Sequence, residues 1–296
     1  MAEIVVLGSA NMDLVVRQPR LPEPGETMFG SSFTTVPGGK GLNQAIAAAR
    51  VGGDVAFLGA VGGDAFGGEL RETLAAAGVD TDAIALVERP TGTAHIAVLD
   101  GGENAIVVVP DANGVELPLD EVQRAAIRAA RYLVVQFERP LPLIAAAVAF
   151  ARSVGVTTVV TPAPVLPLPE GFLEQVDVLV PNAAEACALA GVDDETDAAR
   201  ALSERVGTVV VTRGARGALV ARGGDIVAEV AAHPVTPVDT TGAGDTFTGV
   251  LVARLAAGDA ESVALRAASV AAALATTRAG ASTSMPSWAE VESHLR

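Results

Sequence analysis

The segment Val238-Asp-Thr-Thr-Gly-Ala-Gly-Asp-Thr-Phe247 holds the residues of this 296-residue chain best arranged for chemistry. A glycine-rich turn there leads directly into a helix expected to begin near Gly244. The first amides of a helix lack intrahelical partners and sit at the positive end of its dipole. The amides of Gly242, Ala243 and Gly244 could therefore hold an anion, with glycine letting phosphate approach the backbone. Asp245 falls in the first turn. Its carboxylate could take a proton from an attacking hydroxyl while the three amides stabilise charge on a transferred phosphoryl group. It could equally be an acidic residue well placed for the dipole.

A second glycine-rich turn, Pro37-Gly-Gly-Lys-Gly-Leu-Asn-Gln44, is not a P-loop. That motif needs Gly at position 34 and Ser or Thr at 41, where the chain has Thr34 and Gly41. No GxGxxG follows the first expected strand, where Gly8-Ser-Ala-Asn-Met-Asp13 stands, which disfavours dinucleotide binding. Asn11, Asp13, Lys40 and Asn43 instead form a set of polar groups at strand ends and in a turn, suited to sugar hydroxyls or to Asx turns and caps. Lys40 is the only lysine in the chain. A compact ammonium at that position suits a pocket too tight for a guanidinium fork.

Three further segments carry weaker signals. Asn182 and Glu185 have the spacing of a capping box, which needs no ligand. Thr212-Arg-Gly-Ala-Arg-Gly217 ends an expected strand with glycines and two arginines, as either a phosphate contact or a tight hairpin. His95, His233 and His294 are scattered and there is one cysteine, so no metal-ligand cluster is expected. No nucleophile elbow of a hydrolase is present either.

The elements that must position these residues follow from apolar runs. Glu3–Gly8, Asp54–Gly59, Arg131–Gln136, Thr157–Thr161, Asp177–Val180 and Thr208–Thr212 read as strands buried on both faces. Between them, residues 41–51, 66–77, 120–130, 141–154, 182–191 and 194–206 have helical length and Ala/Leu-rich faces. The C-terminal part predicts helices over 244–257, 259–276 and 287–295, with Asp259 and Ser287 as N-caps and Gly258 just past a helix end. The alternation predicts one α/β domain over 1–296, a three-layer αβα sandwich with a mostly parallel sheet. Residues 13–37 and 93–109 break the alternation as short strands with turns, predicting a small antiparallel sheet that could close over a ligand. In such a sheet the ligand lies beyond the carboxyl ends of the strands.

Composition narrows the function further. With 20 Lys and Arg against 35 Asp and Glu the formal charge is −15, which argues against a broad grip on nucleic acid or anionic membrane. Aromatic residues make up only 3%, too few for a base-stacking surface. The lone Cys187 and the absence of a basic, then apolar, leader predict a cytoplasmic location.

Taken in order, Gly8-Ser-Ala-Asn-Met-Asp13, Gly38-Gly-Lys-Gly-Leu-Asn-Gln-Ala45, Thr91-Gly-Thr93, Pro181-Asn-Ala-Ala-Glu185 and Asp239-Thr-Thr-Gly-Ala-Gly-Asp245 resemble the motifs of the ribokinase-like (PfkB-type) carbohydrate kinases, across essentially the whole chain. Within that family the Gly-Gly-Lys-Gly-x-Asn-Gln-Ala run and the Asn-x-Asp of the first motif are similar to the ribose-specific members. The resemblance implies ATP-dependent phosphorylation of the primary hydroxyl of D-ribose, with a kinase for another sugar or a nucleoside, or a silent sugar-binding protein, as alternatives. It implies sugar contacts from Asn11, Asp13, Gly39, Lys40, Asn43 and Glu138, Asp245 as base, and Gly242, Ala243 and Gly244 as anion hole. Asn182, Thr212, Arg213, Gly214, Ala215, Arg216, Gly217, Gly244 and Ser269 would face ATP, Ser269 standing where an adenine-pocket Asn is common. Glu185 would act on Mg²⁺ through water. A K⁺ ion is implied beside the anion hole, held by Asp239, Thr241, Ala275, Arg278, Gly280 and Ser284. The small sheet would be the family's β-lid and its homodimer interface.

Overall fold

A computed structural model describes residues 2–101 and 103–295. Its strands are β1 (Ile4–Leu7), β2 (Asn11–Gln18), β3 (Ser32–Gly38), β4 (Val55–Leu58), β5 (Ala60–Gly62), β6 (Ala85–Val87), β7 (Thr93–Leu99), β8 (Asn104–Val109), β9 (Tyr132–Gln136), β10 (Thr157–Thr161), β11 (Val178–Leu179), β12 (Thr208–Thr212), β13 (Ala218–Arg222) and β14 (Asp225–Val230). Its helices are α1 (Lys40–Arg50), α2 (Ala65–Ala76), α3 (Glu121–Ala129), α4 (Leu141–Ser153), α5 (Ala183–Ala190), α6 (Glu195–Ser203), α7 (Ala243–Ala256), α8 (Glu261–Thr276) and α9 (Trp288–Ser293). None of these helices is long and apolar enough to cross a membrane.

Strand β1 divides its side chains between two cores. Ile4 and Val6 pack into one with residues of α1, α2, α7 and α8; Val5 and Leu7 pack into the other with residues of α3, α4, α5 and α6. Alternation across a pleated strand requires this once both faces are covered, and it explains why the run is apolar throughout. The result is the expected αβα sandwich. The main sheet runs β14-β13-β12-β11-β10-β9-β1-β4, parallel from β12 through β4 and antiparallel at the β12-β13-β14 edge. Because the chain leaves β1 toward β4 on one side and returns to β9 on the other, a crevice opens beyond the carboxyl ends of β1 and β9.

The small sheet has the order β3-β2-β7-β8. Its outer pairings are antiparallel as expected, but the central β2–β7 pair is parallel because the chain crosses the main sheet before returning. β2 begins at Asn11, so it delivers Asn11 and Asp13 straight from the end of β1 toward the crevice.

Several local expectations are corrected. Asp259 does not cap α8: the N-cap is Ala260, and the Asp259 carboxylate instead takes the Arg254 Nε–H at 2.7 Å. Ser287 does cap α9, in a box with Glu290, and Gly258 (φ 88°) follows the end of α7. The run at 177–180 yields only the two-residue β11. β14 and β6 lack the fully buried run that marks the expected strands, while their partners β13, buried over Ala218–Ala221, and β5, buried throughout, fall outside the expected set.

Candidate active site

Helices α1 and α7 both start at a glycine with positive φ, Gly39 (94°) and Gly242 (73°), and neither has a side-chain cap of its own. Their open amides meet different fates. At α1 the Lys40 N–H donates to Glu138 Oε2 at 3.1 Å and the Leu42 N–H to the Ser9 carbonyl at 2.9 Å. Glu138 Oε2 also accepts the Ser9 hydroxyl at 2.5 Å. The residues after β1 and β9 therefore cap α1 from outside, and that turn has little left for phosphate. At α7 the Ala243 N–H folds back to the Thr240 carbonyl at 3.3 Å, while the amides of Gly242 and Gly244 have no protein acceptor among the described residues. Of the two, only the α7 turn offers an unsatisfied helix start to an anion.

Asp245 is the third residue of α7 and 8% exposed. Both its oxygens accept amide hydrogens from α1: Oδ2 from Asn43 Nδ2 at 3.1 Å and Oδ1 from Gln44 Nε2 at 3.0 Å. Gln44 is held in turn by Gln136 Nε2, which donates to its Oε1 at 2.6 Å. Burial pushes the Asp245 carboxyl up, and the Lys40 ammonium with the Gln44 and Asn43 amides pulls it back toward the ionised form. Burial also works against the charge on Lys40, but Asp245, Glu138 and Glu185 outweigh it and raise that pKa. The ammonium thus remains charged in the field of three carboxylates.

The expected polar set converges on this point. Asp13 lies against the turn before α1 so closely that a Cβ on Gly38 would fall 2.3 Å from its carboxylate, and a Cβ on Gly39 would fall 2.9 Å from the backbone nitrogen of Asn11. Burial, then the negative charges of Glu138 and Asp245, push the Asp13 carboxyl up to about 7. Asn43 Oδ1 is buried without a hydrogen-bond partner. It is an acceptor awaiting a donor, such as a ligand hydroxyl.

Beside the α7 turn lies a cavity of 480 Å³ lined by Thr212, Gly214, Ala215, Gly217, Ala243, Gly244 and Ser269, with Phe247 and His233. Ser269 Oγ points to the Ala231 carbonyl at 3.0 Å. Arg213 and Arg216 do not line it. Both pair with Glu195, and Arg213 also with Glu229, so the hairpin reading describes their side chains and no free guanidinium faces the cavity from this segment. Asn182 bridges to Thr212 and forms the capping box with Glu185, whose Oε2 accepts the Asn182 N–H at 2.8 Å. Burial raises the Glu185 carboxyl, with that hydrogen bond and Lys40 opposing.

Among the residues expected at a K⁺ ion, Asp239, Thr241 and Gly280 cluster directly. Asp239 accepts the Thr241 N–H and hydroxyl at 2.9 and 2.7 Å and the Gly280 N–H at 2.9 Å. Burial raises its pKa, but these bonds and Arg17 prevail and keep it below the usual range. Ser284 Oγ donates to the Ala281 carbonyl, and Ala281 lies 3.3 Å from where a Gly242 Cβ would be, so this loop abuts the α7 turn. The Ala275 carbonyl accepts the Thr277 and Arg278 N–H groups at the end of α8, and the Arg278 side chain pairs with Glu290. Among the described residues no group of three or more His, Cys, Asp or Glu could hold a metal ion.

Sequence reasoning gave no role to Ser9, Gln44, Gln136 or Asn113. Their partners lie up to 201 residues away in the chain, so no local spacing announces them. The one available signal was the choice of amides rather than apolar residues inside a helix and a strand that are otherwise buried.

A parallel sheet with an open helix start, a buried acid beside it and a converging polar set defines a phosphotransferase of the α/β class. The chain belongs to the pfkB family of carbohydrate kinases, whose model matches residues 1–288. It is 38% identical to the ribokinase of Bacillus subtilis over 302 residues, covering 100% of both, and 38% identical to that of Haemophilus influenzae over 294 residues, 96% of this chain and 95% of the other. Arabidopsis thaliana ribokinase, solved in complex with ribose and ATP, superposes with a TM-score of 0.93 at 31% identity, over 100% of this chain and 99% of that one. Thermotoga maritima ribokinase gives 0.92 at 31%, with the same coverage.

Proposed function

We propose that this chain transfers the γ-phosphoryl group of ATP to the primary hydroxyl of D-ribose, giving D-ribose 5-phosphate and ADP. The observation that carries this reading is Asp245 held by two amide donors beside the unpartnered amides of Gly242 and Gly244, facing the polar set of Asn11, Asp13, Lys40, Asn43 and Glu138. The full-length likeness to ribokinases supports ribose over another sugar or a nucleoside.

In the reaction Asp245 accepts the hydroxyl proton as the sugar oxygen bonds to the γ-phosphorus, and the bond from that phosphorus to the β,γ-bridging oxygen breaks. The amides of Gly242 and Gly244 meet the developing charge. Ala243, whose N–H turns to Thr240, contributes least of the three. Asp13, Lys40, Asn43, Asn11 and Glu138, with the backbone at Gly39, orient the sugar, and Asn43 Oδ1 accepts a hydrogen bond from one hydroxyl. ATP occupies the 480 Å³ cavity between Thr212–Gly217 and Ser269, and Asn182 lies at its edge. Mg²⁺ bound with ATP would supply neutralising charge at the phosphate oxygens, and Glu185 would hold it through a water. The ionised Asp239, with the hydroxyls of Thr241 and Ser284 and backbone carbonyls of the loop, is a donor set suited to K⁺. The small sheet acts as a lid that excludes water, and its exposed Phe33, Ile106, Val107 and Val108 support a homodimer through it. The single unpaired Cys187 supports a cytoplasmic location.

The deciding experiment is ADP release with ATP and Mg²⁺ across a pentose, hexose and nucleoside panel. Ribose should give the highest kcat/KM. A hexose or nucleoside ahead of ribose overturns the substrate, and no ADP with any sugar overturns the kinase.

A further inference from the structure

Asn113 is 1% exposed and sits in the 3-10 turn Asp111–Gly114 that follows β8. Its amide is clamped at both ends by the backbone of a single residue. Oδ1 accepts the Ala10 N–H at 3.1 Å, and Nδ2 donates to the Ala10 carbonyl at 2.9 Å. A backbone N–H can only donate and a carbonyl can only accept, so this pair fixes which end of the Asn113 amide is nitrogen. The second hydrogen on Nδ2 then needs an acceptor, and the atom 2.8 Å away on Asn11 must be its Oδ1. The Asn11 amide is thereby oriented by logic rather than by choice. Its Nδ2 is the end left over, and it makes no hydrogen bond to protein among the described residues.

Two further features hold this arrangement. Gly92 packs against the amide pair so tightly that a Cβ there would fall 2.4 Å from both Asn11 Oδ1 and Asn113 Nδ2, which leaves no room for either amide to swing aside. Arg139 is 5% exposed, has no carboxylate within 4.0 Å among the described residues, and donates its Nη1 to the carbonyls of Ala112 (2.9 Å) and Asn113 (2.8 Å). Its Nε has no partner. A buried cation spent on two backbone carbonyls is costly unless the turn it holds must stay in place. Burial pushes its pKa down to about 10, so it keeps its charge at neutral pH.

We propose that Asn113 is a positioning residue for sugar recognition. It forces Asn11 to present an N–H₂ donor to the crevice beside the carboxylate of Asp13, and Arg139 fixes the turn that carries it. The site then pairs one donor with one adjacent acceptor. That combination selects a polyol in which one hydroxyl accepts a hydrogen bond from Asn11 while a neighbouring hydroxyl donates one to Asp13. Were Asn11 free to flip, two acceptors would stand side by side and the lone pair would go unread.

The inference rests on Asn11 touching the sugar, so the test separates the two. Asn11→Ala should raise the KM for ribose by about tenfold or more; no change would overturn the sugar reading of Asn11 itself. Asn113→Asp keeps the shape and the acceptor for the Ala10 N–H but removes the donor, so Asn11 should flip to donate to it. The expected result is a ribose KM raised by about tenfold, with kcat and the KM for ATP within about threefold of wild type. The double variant Asn11→Ala with Asn113→Asp should be no worse than Asn11→Ala alone, whereas additive losses would show that Asn113 acts independently and would overturn the proposal. A ribose KM within about twofold of wild type for Asn113→Asp, when Asn11→Ala raises it, would overturn it too. If that variant does not fold, side-chain amide NMR of the wild-type protein decides. The Asn11 Nδ2 protons should shift on adding ribose while the Asn113 Nδ2 protons stay protected from exchange; the reverse pattern would sink the assignment.

Discussion

Gln44 Nε2 lies 3.0 Å from Asp245 Oδ1, and with Asn43 Nδ2 on the other oxygen it leaves the buried carboxylate accepting two amide hydrogens from one helix. The two amides oppose the effect of burial, which raises this carboxyl, and they aim it at the same time. Asp245→Asn keeps the shape but places an NH₂ group against one of two N–H donors, and it removes the proton acceptor. Turnover should fall by about 10²- to 10⁴-fold while ribose affinity by calorimetry stays within about threefold. Near-normal turnover would show that the proton leaves by another route.

Gln44→Met separates aiming from packing, since it fills similar volume without the donor. Burial raises the Asp245 pKa and the Gln44 amide opposes that, so its loss should raise the pKa further. The acidic limb of the kcat/KM–pH profile should move to higher pH by about half a unit or more. A lower kcat with an unmoved limb would mean that Gln44 only packs.

The strands that build the crevice were legible because β1, β9 and β10 are buried on both faces and their sequences are runs of apolar and β-branched residues without alternation. The α7 start was legible because Gly242-Ala-Gly244 leads straight into a helical run with an acid in its first turn, although that acid alone suits the dipole as well as it suits a base. What could not be read is how the two similar glycine turns divide the work. The amides of α1 are consumed by Ser9 and Glu138, 32 and 98 residues from their partners on the turn, and nothing in Gly38-Gly-Lys-Gly41 records this. The Asp259 cap failed for a similar reason. Arg254, one turn upstream, offered its guanidinium at 2.7 Å, and the carboxylate went there rather than to an open amide. The antiparallel edge escaped because β14 keeps no residue fully buried, so its alternation carries little apolar signal.

Asp13 makes the free protein's stability depend on pH with a definite sign. Its folded pKa of about 7 lies above the unfolded value of about 4, so between these values the folded state binds more protons. Stability from this group is greatest at low pH, declines as pH rises through that window, and the cost is complete above pH 7. Asp13→Asn removes the cost, so its melting temperature relative to wild type should climb by a few degrees between about pH 5 and pH 8. A constant difference across that range would show that Asp13 titrates normally. The same ionisation should sharpen ribose binding as pH rises through about 7, because the carboxylate is the better hydroxyl acceptor.

The loop of Asp239, Thr241 and Gly280 touches the α7 turn through Ala281, so a cation that orders the loop orders the amides of Gly242 and Gly244. Adding K⁺ to enzyme freed of monovalent metal ions should raise kcat, and Asp239→Ala should abolish the response while leaving a basal rate. Equal activity with and without K⁺ would remove the ion from the mechanism.

Phe33 on β3 and Val107 on β8 are 61% and 64% exposed at opposite edges of the small sheet. Side chains of that size left in water on a four-stranded sheet are an incentive to associate, worth about 25 cal/mol for each Å² covered. Phe33→Asp and Val107→Glu place charge in any such contact without touching the crevice residues. If the lid carries the dimer, light scattering should show wild type at twice the chain mass and the double variant at the chain mass. The monomer should also bind ribose more weakly, because a lid without its partner closes with less support. A wild type already monomeric at micromolar concentration would overturn the lid interface, and a variant that stays dimeric would place the contact elsewhere.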